Sequence, residues 1–104
     1  MPNYKLVISY NGKKFAGWQQ QKNAVTVQEK IIDSIEVILK ERVNLIGSGR
    51  TDTGVNAYGQ AANFRINENI ADTGKFMYSL NSILPKEIAI RSIEKVDDEF
   101  HARF

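Results

Sequence analysis

The chain has 104 residues, 42% of them apolar and 25% charged, the make-up of one globular domain with one ordinary core. It holds no cysteine and a single histidine, His101, which excludes disulfides, thiol nucleophiles, Cys-based metal sites and His clusters within it. A net charge of +2 leans weakly toward an anionic partner; no apolar run is long enough for a membrane span and no signal-peptide pattern opens the chain, so a cytoplasmic location is expected.

Tyr4, Leu6, Ile8 and Tyr10 alternate with Lys5, Val7 and Ser9, which predicts a first strand with one strongly apolar face. Asn11-Gly12 is a turn signal that ends it. Lys13, Lys14, Phe15, Trp18 and the glutamines 19 to 21 follow without periodicity. Phe15 and Trp18 can cover one end of the core, or the whole stretch can offer aromatic and hydrogen-bonding groups to nucleic acid. Thr26-Val27-Gln28-Glu29 has the form of a capping box, and Val27, Ile31, Ile35 and Ile38 continue at helical spacing. Lys40 and Arg42 are expected to complement the dipole at the end of this helix.

Val43 to Ile46 predicts a short second strand, and Gln60 to Ile66 a third, so the glycine-rich stretch between them joins two neighbouring strands. A second helix is expected from Asp72 or Thr73, with Phe76, Met77, Leu80, Ile83 and Leu84 on its apolar stripe and Pro85 as its stop. Ile88 to Val96 predicts a fourth strand whose alternation slips between Ile90 and Ile93, the mark of a bulge. Asp97-Asp98-Glu99 then turns the chain toward Phe100. The order β-α-β-β-α-β, with right-handed crossovers, gives an α+β, ferredoxin-like domain over residues 1–104: a four-stranded antiparallel sheet with both helices on one face. The opposite face, with Lys5, Val7, Ser9, Ala61, Asn63 and Arg65, is expected to be open to a ligand or a second domain.

The stretch from Gly47 to Gln60 holds four glycines, one cation, Arg50, and one carboxylate, Asp52. It lacks the third glycine of a dinucleotide fingerprint, where Asp52 stands, and the lysine of a Walker A loop, where Val55 stands. Both patterns also need a helix next, whereas Gln60 onward alternates as a strand. The spaced acids of an EF-hand and the second carboxylate of a glycosidase pair are missing from it too. What remains is Asp52 on a glycine frame of Gly49, Gly54 and Gly59. Such a carboxylate serves either as a nucleophile or base kept ionised by Arg50, or as the side chain of an Asx-turn.

The run Gly49-Arg50-Thr51-Asp52-Thr53-Gly54-Val55-Asn56-Ala57-Tyr58-Gly59-Gln60 closely resembles the signature G-R-T-D-x-G-V-H-A-x-G-Q of the tRNA pseudouridine synthase A (TruA) family. Tyr10-Asn11-Gly12 with Phe15-x-Gly17-Trp18-Gln19-x-Gln21 is similar to its early Y-D-G and F-x-G-W-Q-x-Q segment. Thr26-Val27-Gln28, Leu84-Pro85-x-Glu87-Ile88 and Phe100-His101-Ala102-Arg103-Phe104 resemble its T-V-Q, L-P-x-D-I and F-H-A-R-F, in the same order. The resemblance implies isomerisation of uridine to pseudouridine in the anticodon stem-loop of tRNA, with no cofactor and no metal, by a cytoplasmic homodimer with no membrane attachment.

By the same resemblance Asp52 is the catalytic nucleophile, attacking either the uracil ring or the ribose C1′, and Arg50 contacts and flips the RNA. Lys13, Lys14, Arg65 and Arg103 are further candidates for phosphate contacts. Two residues depart from the pattern: Asn56 stands at the family's histidine and Asn11 at its aspartate. Family members continue past F-H-A-R-F into a second similar domain that completes the site, so this chain resembles the N-terminal domain and is expected not to turn over substrate alone. The competing expectation is a ferredoxin-like RNA-binding or assembly module without catalysis; an outward Ala61, Asn63 and Arg65 lacks the stacked aromatics of an RRM sheet.

Overall fold

The computed structural model describes residues 1–11, 26–47 and 57–102. The elements follow in the order β1 (Asn3–Tyr10), α1 (Val27–Leu39), β2 (Ile46–Gly47), β3 (Ala57–Arg65), α2 (Thr73–Ile83) and β4 (Ile88–Val96). The sheet order is β2-β3-β1-β4 and every pairing is antiparallel, the ferredoxin-like arrangement that the sequence predicts.

The period of two in β1 organises the core. Tyr4, Leu6, Ile8 and Tyr10 are all buried on the face that meets the helices. In register with them, β3 adds Ala62 and Phe64 and β4 adds Ile88, Ile90 and the half-buried Ile93. The helices supply Val27, Ile31, Ile32 and Ile35 from α1 and Phe76 and Leu80 from α2. Tyr4 stacks on Phe64 with ring centroids 5.9 Å apart, and Phe64 meets Phe76 at 6.4 Å. The Tyr4 hydroxyl is kept satisfied at the rim by accepting the Ile70 N–H at 2.8 Å.

Local signals set the helix ends. Thr26 Oγ1 accepts the Glu29 N–H at 3.3 Å, half of the expected capping box. Asp72 Oδ1 accepts the Lys75 N–H at 3.0 Å and starts α2 where expected. At the end of α1, Lys40 takes a left-handed conformation with φ 59°, and its N–H reaches the Glu36 carbonyl. The expected positive charge at the end of α1 is supplied by the C-cap Lys40, since the last turn itself holds no basic residue. Arg42 instead folds back onto Asp33 at 2.7 Å and Glu36 at 3.1 Å. Its hydrogen bonds to Asp33 and then Glu36 raise the guanidinium pKa further. All three side chains are about half exposed, so the cluster contributes little.

The bulge in β4 lies where the alternation slips: Val7 opposes Ser92 and Ile8 opposes Ile90, which leaves Arg91 as the extra residue. At the bulge, Asn81 of α2 takes both main-chain groups of Ile90, accepting its N–H at 2.8 Å and donating to its carbonyl at 3.1 Å.

Two expectations are corrected. Val43 to Leu45 is not strand, and β2 is confined to Ile46–Gly47. Val43 and Leu45 are buried, but the Leu45 carbonyl accepts from the Gln28 side chain of α1 rather than joining a ladder. The second sheet face is also not left open at its Asn3 end. Residues 97–102 fold back over it after a turn in which the Phe100 N–H reaches the Asp97 carbonyl at 3.0 Å. The polar residues there bind main chain, which accounts for a polar face without a wet one.

Replacing Phe64 by Ala removes an aromatic side chain from the middle of the core and should cost about 3–5 kcal/mol in urea unfolding. Arg42→Ala should cost less than about 1 kcal/mol, a loss that shrinks further with added salt.

Candidate nucleic-acid interface and catalytic segment

One end of the sheet gathers the ends of the segments that carry the candidate residues. β1 finishes there at Tyr10, opposite Ala57 at the start of β3. β2 finishes at Gly47, opposite Ala62 of the same strand. β4 begins there at Ile88, opposite Tyr10 on its other side. Residues 12–25 therefore leave the sheet beside the point at which residues 48–56 rejoin it. Lys13 and Lys14 belong to the first of these segments, and Gly49, Arg50, Asp52 and Gly54 to the second. These six residues lie outside the described residues, as do Phe15, Trp18, Asn56 and Arg103.

The anchors of both segments are well built. The Asn11 N–H donates to the Glu87 carbonyl at 2.9 Å, which ties the exit of β1 to the start of β4. Thr26, where the first segment returns, is fully buried and caps α1. Gln28, in the first turn of α1, donates its amide to the Leu45 carbonyl. Leu45 itself is fully buried, and Gly47 follows two residues later in β2. The start of α1 and the entry to residues 48–56 are thus held together by one side-chain hydrogen bond. The sequence places Gln28 in a helix-opening motif but gives no sign that its amide reaches the second strand.

Gly59 lies inside β3 rather than in the loop. The register there slips, with Ile8 opposite Gln60 but Tyr10 opposite Ala57, so β3 carries one extra residue beside Gly59. A Cβ placed on Gly59 meets no atom of the described residues within 4 Å, so neither their packing nor a left-handed backbone calls for glycine here.

Arg65, the one candidate cation among the described residues, is half-buried on the second sheet face. Its guanidinium donates to the Asp98 carbonyl and, at 3.3 Å, to the Phe100 carbonyl. Lys5 on the same face lies 3.8 Å from Glu94 and 5.9 Å from the centroid of the Phe100 ring. Among the described residues no three His, Asp or Glu side chains gather as metal ligands, and no helix is long and apolar enough to cross a membrane.

The fold and this sheet end define the class: an α+β ferredoxin-like domain in which β1 ends, β3 begins and β4 begins at one end of the sheet. A family model described as tRNA pseudouridine synthase matches residues 6–104. A tRNA pseudouridine synthase A of Thermoanaerobacter sp. (strain X514) is 49% identical over 104 residues, covering the whole chain and 42% of that relative. The proteins of the same name from Chlamydia pneumoniae and Colwellia psychrerythraea are 47% and 44% identical, with 40% and 39% of their lengths covered. The chain belongs to the tRNA pseudouridine synthase family. It spans about two-fifths of the length of these curated relatives.

Gly59→Ala should leave the unfolding midpoint unchanged or slightly raised, because alanine in a strand has less chain entropy to lose. Any drop in RNA affinity at unchanged stability would then mark Gly59 as a point of close approach by the ligand. Gln28→Ala should lower stability by about 1 kcal/mol, read from the shift in a urea transition, because it strands the buried Leu45 carbonyl.

Proposed function

We propose that this chain is the N-terminal, aspartate-bearing domain of a tRNA pseudouridine synthase that isomerises uridine in the anticodon stem-loop. The observation that carries the reading is the G-R-T-D stretch at residues 49–52, inside a family match from residue 6 to 104. The sheet supports it by pairing Tyr10, the end of β1 that precedes residues 12–25, with Ala57, the start of β3 that follows residues 48–56. A basic stretch with Lys13 and Lys14 is thereby joined to the sheet next to the acid-bearing one, as a reaction on a polyanion requires.

Asp52 is the nucleophile in this reading. The uridine N1–C1′ bond breaks, the base turns, and a C5–C1′ bond forms while the C5 proton is lost and N1 gains one. Atoms balance without a cofactor, a metal or an oxidant. The base must leave its stack before any of this, and in this reading Arg50, two residues before Asp52 in the sequence, helps to hold it out. Lys13, Lys14, Arg65 and Arg103 contact phosphates. Arg65 keeps guanidinium donors beyond the two carbonyl contacts it makes, since five N–H groups are available. The working enzyme is a cytoplasmic homodimer, each subunit completed by a second domain, and the domain alone does not turn over.

Release of tritium from tRNA labelled at uracil C5 tests the assignment in the full-length protein that carries this chain. Wild type should release label and Asp52→Asn should release none. Equal release by both would remove Asp52 from the chemistry. Salt-sensitive tRNA binding with no release by either protein would instead favour a binding module, a reading that Asn56 at the family's histidine position keeps relevant.

A further inference from the structure

The bulge in β4 does more than interrupt a ladder. Ile90 is buried against the helices and Ile93 packs on the same core. The two residues between them, Arg91 and Ser92, therefore both fall on the second sheet face, where Ser92 is opposite Val7 and Arg91 is the extra residue. The main chain at this point is held, since Asn81 takes the N–H and the carbonyl of Ile90 at 2.8 Å and 3.1 Å. Arg91 follows directly on that fixed residue and is exposed.

Its surroundings suit an anion. β4 begins at Ile88 opposite Tyr10, and Arg91 stands about 10 Å from that sheet end at the usual strand rise. In this half of the sheet, over residues 7–10, 46–47, 57–62 and 88–92, Arg91 is the single charged residue. No carboxylate there competes for it or repels a phosphate. Glu94, the carboxylate of β4 itself, lies 3.8 Å from Lys5. The described residues include three arginines. Arg42 meets Asp33 and Glu36, and Arg65 donates to two carbonyls. Among the described residues the Arg91 guanidinium makes no ion pair or hydrogen bond, so its planar fork of donors is free for a phosphate.

We propose that Arg91 contacts a phosphate of bound tRNA, so that the RNA backbone passes along the half of the second sheet face nearest the end where β4 begins. The inference rests on the tRNA reading given above and adds a contact residue to it. A charged residue on a marginal strand also serves as a guard against strand pairing, but a guard makes no contact with RNA, and the two roles separate in the salt dependence of binding.

The test uses the full-length protein that carries this chain, with unmodified tRNA as probe. In Arg91→Ala the affinity should fall about tenfold, the salt dependence should lose about one phosphate contact, and the urea midpoint should not move. Arg91→Lys keeps the charge and should keep the salt slope, with a smaller loss of affinity because the fork of donors is gone. Lys95→Ala removes an exposed cation from the same strand beyond Glu94 and should change neither quantity. An unchanged slope in Arg91→Ala overturns the proposal, whether or not the urea midpoint falls. The same loss in Lys95→Ala overturns it as well, because the effect is then one of net charge. If wild type binds no tRNA, the functional reading falls and takes this contact with it; if wild type binds and Arg91→Ala matches it, the contact alone falls.

Discussion

The rest of the fold depends on β1 being paired on both edges and packed on both faces. Its eight residues face β3 on one side and β4 on the other, and its two sets of side chains do different work. Tyr4, Leu6, Ile8 and Tyr10 meet the helices, while Asn3 and Lys5 hold the segment after β4. A slip of one residue would put Asn3 under the helices and Leu6 under residues 97–102. That exchange leaves amides unpaired in an apolar core, and so one register is enforced from both sides at once. The start of β3 opposite Tyr10, and with it the return of residues 48–56 to the sheet, follows from this register.

Much of this was legible because it rests on periodicity. Even positions of β1, the stripe of α1 and the slip in β4 all carry their burial in their spacing, and each corresponds to what is observed. Val43 to Ile46 misled because β-branched and aliphatic composition signals burial as readily as pairing. The segment is buried, but a side chain from α1 takes the main-chain group that a strand would have used. Of the two cations expected at the end of α1, Lys40 caps it in a left-handed conformation, while Arg42 folds back onto Asp33 and Glu36.

The second sheet face was the harder part. Lys5, Asn63 and Arg65 read as an open polar surface, because nothing in the spacing shows that residues more than 30 positions away return to cover them. Asn3 and Asn63 did leave a signal, since asparagine is disfavoured within strands and two of them in central strands ask for an explanation. The candidate site was legible only through the resemblance. Spacing alone left Asp52 between a nucleophile and a turn residue, for an aspartate among glycines serves both uses.

The two hydrogen bonds from Asn81 to Ile90 have a consequence beyond the helix that makes them. β4 lies at the margin of the sheet, where free N–H and C=O groups invite a strand from another molecule. Asn81 imitates such a strand at Ile90 and uses up its donor and its acceptor. One residue on, the bulge at Arg91 breaks the even spacing that an incoming chain would need. The opposite margin, β2, is two residues long and gives little to pair with. The domain therefore carries a guard against edge-to-edge association, supplied on one side by a single helical amide.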